Sequence, residues 1–417
     1  MPPDEGVGPP SLWRHPGFLK LWVGETVSVF GTQVTLLAMP LVALKLLHAT
    51  TFEVGLLVTL ERLPFLVIGL PAGAIIDRLR KRPVLVAGDL GRALALGSVP
   101  VAYWAGALTI GQVYAVVFVA GVLTVLFDVA YQSYLPALVE RTQLVEANAK
   151  LQASESAAQV GGPALAGYLY QFLAAGAIVV DALSYLFSAA CVLLIRAAEP
   201  RPVAHLDESL RHQVAEGVRY VFGHRFLRSI AATTAVANFF NSMLLAVYLT
   251  YAVRRLLLSP GTIGLIFAVA SVGGLLGALV ARPLARRLGV GPTIVGAAAT
   301  FGPPALLVPL APRAAPVQFL IVANFVLALG ATIYNVTQVS LRQALCPPRM
   351  QGRMNATMRF LVWGTIPVGS LLGAILGTTL GLRTTLFIAA AGGLFAFVPV
   401  AWSPVWSIRT VPDPEGE

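Results

Sequence analysis

Charged residues are scarce in this chain: Asp, Glu, Lys and Arg make up 12% of its 417 residues, and the mean hydropathy is +0.78. A soluble domain carries about 25% charged residues, so this composition excludes an ordinary water-soluble protein. Apolar runs recur from end to end, and about 20 apolar residues suffice for one helical crossing of a bilayer. Because only helices and closed barrels satisfy their own backbone in lipid, the sequence predicts an all-α polytopic membrane protein.

Cysteines and nucleotide-binding motifs are lacking as well. The two cysteines, Cys191 and Cys346, are too few for a disulfide or zinc framework. The sequence contains neither a Gly-x-x-x-x-Gly-Lys-Ser/Thr loop for ATP phosphates nor a His-Glu-x-x-His metal site. We therefore expect no metal and no cofactor, so that an ion gradient or the gradient of a substrate must supply energy. The net charge of the chain is +10, but its basic residues form no patch interleaved with aromatic residues, as is typical of nucleic-acid-binding surfaces. We therefore do not expect nucleic acid as a partner.

What the sequence does contain is a series of twelve apolar windows, each long enough for one transmembrane helix. The first window follows a tail that lacks the short apolar region and small-residue cleavage site of a signal peptide, so we expect it to be retained. The expected spans are 18–44, 53–76, 84–106, 111–130, 152–174, 177–195, 229–252, 261–281, 291–311, 316–338, 355–379 and 383–405.

The longest polar stretch, 196–228, separates six windows from six. It predicts an N-terminal half at 1–195, a cytoplasmic linker at 196–228 and a C-terminal half at 229–417. Within the linker, helical periodicity over 207–222 predicts an amphipathic helix that lies on the membrane surface.

A faint internal repeat relates the two halves. The stretch "GAIIDRLRKR" at 73–82 corresponds to "GALVARPLARR" at 277–287, with Ala281 where Asp77 stands. A repeat of this kind predicts twelve transmembrane helices in two pseudo-symmetric six-helix halves, with a substrate site between halves that rock against each other.

The arginines and lysines of the loops predict the orientation. If the N-terminus lies in the cytoplasm, the loops on that side carry eighteen Lys or Arg residues and the opposite loops carry five. Cytoplasmic loops of membrane proteins carry the excess of positive charge. We therefore expect both termini in the cytoplasm, where the basic surface meets anionic lipid headgroups.

Several stretches resemble a known family. "GAIIDRLRKRP" at 73–83 resembles the loop 2–3 signature of the major facilitator superfamily, Gly-x-x-x-Asp-Arg-x-x-Arg-Arg/Lys, and the six-plus-six layout agrees with it. Further stretches resemble one branch, the bacterial exporters that include the enterobactin and macrolide efflux proteins. These are "FLKLWVGETVSVFGTQVTLLAMPLVAL" at 18–44, "AGDLGRALAL" at 87–96, "LPALVERTQLVEANA" at 135–149 and "DALSYLFSA" at 181–189.

The resemblance implies a monomeric secondary transporter in the inner (plasma) membrane of a bacterium. It implies the export of a small molecule, such as a drug, a macrolide or a siderophore-like compound, in exchange for protons and by alternating access. Lipids and protons would then be its other partners, and the proton gradient would drive it without a cofactor.

The charge cluster after span 2 resembles the latch of that superfamily, which holds the two halves together when the cavity faces outward. A glycine there lets a neighbouring helix approach closely, and an aspartate one turn later can face the N-terminus of span 11. Arg78 or Arg82 would pair with Asp128. The alternative is that these charges only set topology and contact headgroups. The expected latch residues are Gly73, Asp77, Arg78, Arg82, Asp89, Arg92 and Asp128.

Charges inside the spans are the next candidates, because each costs about 2.5–3.5 kcal/mol at the bilayer centre and usually lines a cavity. Glu61 and Arg62 lie near mid-membrane, and since successive residues project about 100° apart, we expect them to face different partners. Glu61 is then the candidate proton carrier, and a purely structural pair is the alternative. Glu25 and Glu155 are expected at a gate and its vestibule, and together with Glu61 and Arg62 they form the expected proton-coupling and substrate-cavity group. Asp181 is expected as a helix cap. Gln33, Asn238, Asn241, Tyr334 and Asn335 are possible cavity polar groups.

Glycines and prolines inside the spans mark hinges or close helix packing. The strongest group is Gly161, Gly162 and Pro163 in span 5, which the pair Gly273–Gly274 and Gly277 of span 8 could meet across the halves. Gly369 and Gly373 form a small face on span 11, which we expect to lie towards the latch.

Three other functions fit parts of the pattern. A lysophospholipid flippase of the same fold would need a lateral opening between spans. A non-transporting sensor would normally carry an appended soluble domain, and the short tails leave no room for one. An intramembrane enzyme would need a catalytic constellation at membrane depth, for which a single Glu–Arg pair is thin support.

Overall fold

The computed structural model describes residues 12–140, 143–196, 210–347 and 350–410. Within these ranges the regular secondary structure is wholly helical, as the composition predicts. Two of the arginines expected in cytoplasmic loops, Arg141 and Arg349, lie outside the described residues, as do linker residues 197–209.

The first half consists of seven helices. Helix α1 ends in a π-helical turn, Val42–Leu46, and α2 and α3 together make one span that is interrupted at Ile68. The helices are α1 (Pro16–Leu41), α2 (Thr51–Val67), α3 (Gly69–Asp77), α4 (Lys81–Trp104), α5 (Ile110–Leu138), α6 (Leu144–Leu173) and α7 (Ala177–Leu193).

The linker contributes one helix and the second half eight. The amphipathic helix expected in the linker is present as α8 (Leu210–Gly223). The second half contains α9 (Arg225–Arg254), α10 (Pro260–Leu288), α11 (Val290–Ala299), α12 (Pro303–Leu310), α13 (Pro316–Leu345), α14 (Gln351–Thr379), α15 (Leu382–Gly393) and α16 (Val398–Ala401).

These helices make twelve spans. Ten stretches of the described chain are long and apolar enough to cross a membrane, and one of them, Glu146–Leu193, holds both α6 and α7. The twelfth span is the pair α2 and α3, because neither helix is long enough alone. The expected fold class is therefore confirmed.

The two ends of the bundle are distinguished by the linker helix. Helix α8 packs against α14 and α9, at the end where α1 begins and α7 ends. We call this the linker end, and the opposite end, which carries the loops after α1, α4, α6, α9, α12 and α14, the far end.

Several helices extend further at the linker end than the apolar windows. Helix α5 continues to Leu138, where the window ends at 130, and α6 begins at Leu144 instead of 152. Polar residues continue the backbone hydrogen bonding of a helix after it leaves the hydrocarbon layer, so apolarity marks the membrane and not the helix end.

The two halves repeat the same helix pairings. Helix α1 packs on α6 and α7, just as α9 packs on α14 and α15. Helix α2 packs on α5 as α10 packs on α13, and α4 packs on α7 as α12 packs on α15. Two helix pairs join the halves, α6 with α10 and α2 with α14. The correspondence between the halves that relates the other pairings also turns one of these two pairs into the other. The halves are therefore pseudo-symmetric.

Glycines join the halves at the far end. A Cβ atom on Gly264 of α10 would overlap the carbonyl oxygen of Pro163 and lie 3.1 Å from the Cα of Gly167, both on α6. A Cβ on Gly55 of α2 would likewise overlap Ala374 of α14. Arg254 adds a hydrogen bond of 2.6 Å from its Nη2 to the carbonyl oxygen of Ala49. The far end is thus closed by contacts too tight for larger residues.

One expected glycine contact is wrong. Gly273 and Gly277 do not meet Gly161 or Gly162, since they pack on Phe325 and Leu329 of α13 within the second half. A span has small residues on more than one face, and the sequence alone does not show which of these faces the other half.

Candidate functional site

A central cavity of about 1180 Å³ lies between the two halves. Helices α1, α2 and α6 of the first half and α9, α10 and α13 of the second half line most of it. Pockets for drug-sized ligands are typically about 300–1,000 Å³. The cavity therefore has room for a large organic molecule.

The cavity is closed towards the far end and open towards the linker end. Its lining residues nearest the far end are buried: Val54 is 1% exposed, Tyr248 2% and Leu249 8%. Gln152, Glu155 and Gln159 of α6, which line it towards the linker end, are exposed. This gradient shows that solvent enters the cavity from the linker end.

The charged groups of the cavity all come from the first half. Glu61 and Arg62 project from α2, and Glu155 projects from α6. The second half lines the cavity with neutral amides and aromatic rings, so one wall is charged and the other is not. These neutral residues are Asn238, Asn241, Asn324, Asn335, Phe240, Tyr248, Phe267 and Phe301.

Glu61 and Arg62 form an ion pair on the cavity wall, with 3.4 Å between Nη2 of Arg62 and Oε1 of Glu61. Their side chains are 24% and 45% exposed, respectively. The expectation that the two face different partners is therefore wrong. Their Cα–Cβ bonds diverge as adjacent helical positions require, but the long side chains bend into the same open volume and meet there.

Glu155 has no cation within ion-pair distance in the described part of the chain. Its Oε1 accepts a hydrogen bond of 3.3 Å from the side-chain amide of Gln159. Since both side chains line the cavity and are exposed, Glu155 is the anionic group there that a cationic ligand could approach most freely.

A second group of charges is buried inside the first half. Asp89 and Arg92 pair at 2.5 Å, one helical turn apart on α4, and are 0% and 4% exposed. The guanidinium of Arg92 lies between two aromatic rings, 4.2 Å from the centroid of Phe127 and 4.1 Å from that of Tyr185. Glu25 of α1 and Asp128 of α5 lie within electrostatic range of Arg92.

The expected pairing of Arg78 or Arg82 with Asp128 is wrong. The cations within electrostatic range of Asp128 are Arg92 and Arg359 of α14. Arg82 instead donates from Nε to the carbonyl oxygen of Val192, at 3.2 Å, and from Nη2 to that of Leu193. The last carbonyls of a helix carry partial negative charge and attract a cation. The end of α7 presents such carbonyls to Arg82 in the first turn of α4. Arg78 is exposed.

The other latch residues have only a partial structural description. Gly73 and Asp77 belong to α3, but their side-chain surroundings lie outside the described part of the structure. The latch therefore stays a prediction. The small face of α14 does not lie towards α3: Gly369 packs on Phe239 and Gly373 on Met243, both of α9.

The proposed hinge in α6 is tightly packed. A Cβ on Gly162 would overlap the side chain of Gln33 on α1, and one on Gly161 would lie 3.5 Å from Phe30. Since Pro163 also contacts Gly264 across the halves, these residues pack α6 against both α1 and α10. Whether they bend during a cycle stays a prediction.

Asp181 is not the helix cap that the sequence suggests. The N-cap position of α7 is Gly176, and Asp181 is fully buried inside the helix, where its Oδ1 accepts a hydrogen bond of 3.2 Å from Ser184. Of the polar groups expected in the cavity, Gln33, Asn238, Asn241 and Asn335 line it. Tyr334 is buried instead, 2.8 Å from Thr234.

Sequence reasoning missed Asn324 and Tyr248, which lie on the cavity wall and share a hydrogen bond of 3.0 Å. An isolated amide in the apolar run of span 10 was the available signal for Asn324, because an uncompensated polar group is costly in lipid. The described residues contain no group of three or more His, Cys, Asp or Glu that could hold a metal ion.

Residues 8–408 match the family described as transmembrane secretion effector. The chain belongs to the transmembrane secretion effector family. Its resemblance to the major facilitator superfamily and to bacterial efflux proteins is thereby confirmed. This member is a multi-pass membrane protein of a family of transporters.

Two relatives match this member of the family over nearly their whole length. The multidrug efflux pump Tap of Mycolicibacterium fortuitum is 26% identical over 410 residues, which cover 94% of this chain and 96% of the relative. Macrolide efflux protein A of Streptococcus pyogenes is 22% identical over 372 residues, covering 88% and 90%. Among solved structures, a bacterial homologue of the iron transporter ferroportin in its inward-facing state has the same fold, with a TM-score of 0.72, 18% identity and coverage of 94% and 98%.

Proposed function

We propose that this chain is a proton-coupled exporter of bulky, partly apolar compounds such as drugs, macrolides and siderophore-like molecules, and that it works by alternating access. The observation that carries the proposal is the cavity of about 1180 Å³ between two pseudo-symmetric halves, closed at the far end and open at the linker end. The names of the relatives, a multidrug pump and a macrolide efflux protein, support the choice of substrates.

The proposed location is the inner membrane of a bacterium, with both termini in the cytoplasm. The excess of Lys and Arg in the loops of the linker end supports this orientation. The cavity then opens to the cytoplasm, the side from which an exporter takes up its substrate. The units that rock would be 1–195 and 229–417, joined by linker 196–228, and the latch at Gly73 and Asp77 would form when the cavity faces outward.

Within the cavity, Glu61, Arg62 and Glu155 are the charged groups that meet the substrate. A cationic centre of a drug would approach Glu155, whereas the amides and rings of the second half would contact its neutral body. The sequence contains no nucleotide-binding loop, which leaves an ion gradient or the gradient of the substrate as the energy source. The resemblance to bacterial efflux proteins favours the proton gradient.

The test uses inverted membrane vesicles, acidified inside and loaded with a pH-sensitive dye, to which erythromycin or ethidium is added. We expect either compound to drive proton release with the wild-type protein. Glu61→Gln leaves Arg62 uncompensated in the cavity and should weaken the response. Glu146→Gln is the matched control, because this carboxylate lies outside the cavity, paired with Lys150 at 3.3 Å. Absence of proton movement with wild type would refute proton-coupled export of these compounds, and an equal loss in both variants would refute the role of Glu61.

Lipid movement is the second candidate function. It is favoured by a crevice of about 140 Å³ between α2, α5 and α14, which is lined by Phe65, Phe360 and Trp363 together with Asp128 and Arg359. Aromatic walls beside an arginine suit an acyl chain beside a phosphate. Transfer of a fluorescent lysophospholipid in proteoliposomes that is lost in Trp363→Ala would support this function, and transfer equal to that of empty liposomes would exclude it.

A further inference from the structure

The charges around Arg92 in the first half are unbalanced. Four carboxylates lie within electrostatic range of Arg92: Asp89 on α4 and Asp181 on α7, which are fully buried, and Glu25 on α1 and Asp128 on α5, which are half-buried. None of these five residues lines the central cavity. A group of this composition inside one half of a membrane protein cannot keep every carboxylate charged without a bound cation or proton.

The hydrogen bonding of this group is incomplete as well. Asp89 is 0% exposed, and its Oδ2 has no hydrogen-bond partner among the described residues. The same holds for the buried Oε2 of Glu25 and the buried hydroxyl of Tyr131. Buried polar atoms normally have a partner. A carboxylate that gains a proton becomes a donor, and several acceptors are available here.

Glu25 makes no ion pair within the described residues, and neither does Asp181, but Oδ1 of Asp181 accepts a hydrogen bond from Ser184. Arg92 makes its ion pair with Asp89, and Asp128 has a second cation, Arg359, in range. The charged and titratable groups that face Glu25 from the packed helices are Asp89 and Arg92 of α4, Asp128 and Tyr131 of α5 and Glu155 of α6. From α7, Asp181 and Tyr185 face Arg92, and Cys191 packs beside Gly24. By contrast, Glu61 in the cavity already has its own arginine.

Glu25 also interacts electrostatically with two carboxylates that are nearer to water. Glu155 is exposed in the cavity and lies within electrostatic range of both Glu25 and Asp128. Asp128 lines the crevice between α2, α5 and α14. Glu155 and Asp128 are therefore the carboxylates through which Glu25 would exchange protons with water, Glu155 from the cavity and Asp128 from the crevice.

We propose that Glu25 is the proton-binding carboxylate of this transporter, in a site that is separate from the substrate cavity and that exchanges protons with Glu155 and Asp128. The inference rests on the proposed function, in which protons drive export. It moves the proton site away from Glu61, which is left to the substrate. Coupling then takes place through helix α1, which carries Glu25 in the buried group and Gln33, two turns further on, in the cavity wall.

The first experiment measures proton binding without transport. The purified full-length protein in lipid nanodiscs is studied by pH-difference infrared spectroscopy in the carbonyl-stretch region of protonated carboxylic acids. We expect a carboxylic acid band in the wild type that is absent in Glu25→Gln, shifted in Glu25→Asp and unchanged in Glu61→Gln. Glu61→Gln is the matched control because it removes the same group from the cavity. A band that persists in Glu25→Gln, or one that disappears only in Glu61→Gln, would overturn the inference.

The second experiment separates this inference from the proposed function. In inverted vesicles, Glu25→Gln should lose proton-driven accumulation of erythromycin but retain exchange of labelled for unlabelled erythromycin, which needs no net proton movement. Retained exchange also shows that the variant is folded. If the variant fails to fold, Asp128→Asn replaces it, with the expectation that the infrared band of Glu25 shifts, and an unshifted band counts against the site. Wild-type protein that moves no protons refutes the proposed function, whereas a Glu25→Gln variant that still accumulates erythromycin refutes only the proton site.

Discussion

The contact between α6 and α10 at the far end offers a direct test of the closed state. A Cβ atom on Gly264 would overlap the carbonyl oxygen of Pro163 and lie 3.1 Å from Cα and 3.2 Å from N of Gly167. All three are backbone atoms, which cannot rotate aside as the tip of a side chain can. Gly264→Val should therefore force the two helices apart at the far end.

The size of the effect follows from the cost of overpacking, which is about 1–3 kcal/mol. This cost applies only while α6 and α10 touch, so it disfavours the conformation that is closed at the far end. A cost of about 2 kcal/mol changes an equilibrium by about 30-fold. If the far-end-open conformation is a minor species of a few per cent, the substitution makes it a major one.

Gly273→Val is the matched control. A Cβ there would also overlap a backbone carbonyl oxygen, that of Phe325, but this residue belongs to α13 of the same half. The control should lower stability by a similar amount in both conformations and leave their ratio unchanged.

Double electron–electron resonance can measure the opening. Spin labels are attached through Phe172→Cys at the end of α6 and Leu257→Cys before α10, whose side chains are 78% and 82% exposed. The two native cysteines, Cys191 and Cys346, are first replaced by serine. We expect a longer distance to gain population in Gly264→Val and not in Gly273→Val. An unchanged distance distribution in Gly264→Val would refute the reasoning that this glycine holds the far end closed.

Two further predictions concern the buried pair and the linker helix. Arg92→Leu should lower the free energy of unfolding by about 3–5 kcal/mol, because it leaves Asp89 without its partner. Thermal unfolding in detergent should show that the Asp89→Asn/Arg92→Leu double variant recovers part of this lost stability. A loss of stability that the double variant fails to reduce would contradict the prediction. Burial raises the pKa of the Cys346 thiol, so it should react slowly with a maleimide at neutral pH, since only the thiolate reacts. Glu216→Lys removes the ion pair between α8 and Arg353, and it should expose the Cys346 thiol. Exposure should lower the pKa of this thiol towards its ordinary value and speed its reaction with the maleimide at a given pH. An unchanged reaction rate would show that α8 does not cover this thiol.

The apolar runs of the sequence predict the number and order of the spans, because a bilayer imposes the same requirement on every crossing segment. The polar stretch after 195 likewise predicts α8, since its apolar positions recur with helical period. The ends of the helices are not predicted by the same signal. Helix α5 ends at Leu138 and helix α6 begins at Leu144, so both helices extend past the apolar windows.

Pairings between side chains were the less predictable part, because they depend on which helix faces meet. The sequence offers Arg82 several anionic groups, and in the structure its guanidinium donates to the carbonyl oxygens of Val192 and Leu193 at the end of α7. Gly273 has the small surface expected of a contact between halves, but it faces α13. Asp181 has the residue type of a cap, but it lies inside α7, which begins at Ala177, and it is fully buried there. In each case the type of the residue was informative, but the sequence did not show which group it would contact.

The asymmetry of charge within a symmetric fold has a consequence for how the two halves divide the work. The halves repeat the same helix pairings, but the repeat that has Asp77 in the first half has Ala281 in the second. The charged groups of the cavity and the carboxylates around Arg92 all belong to the first half. The second half contributes amides and aromatic rings to the cavity, among them the pair Asn324 and Tyr248.

Neutral amides and rings bind through shape and hydrogen bonds, which differ from one drug to the next, whereas proton uptake needs carboxylates whatever the substrate. A change in the cavity wall of the second half should therefore alter which compounds are exported, and a change in the group of carboxylates around Arg92 in the first half should alter the coupling to protons for all of them. Asn324→Ala, which removes the hydrogen bond to Tyr248, should change the relative export of erythromycin and ethidium while the number of protons moved per substrate stays the same. A variant of Asn324 that changed the proton count and left the substrate preference intact would contradict this division between the halves.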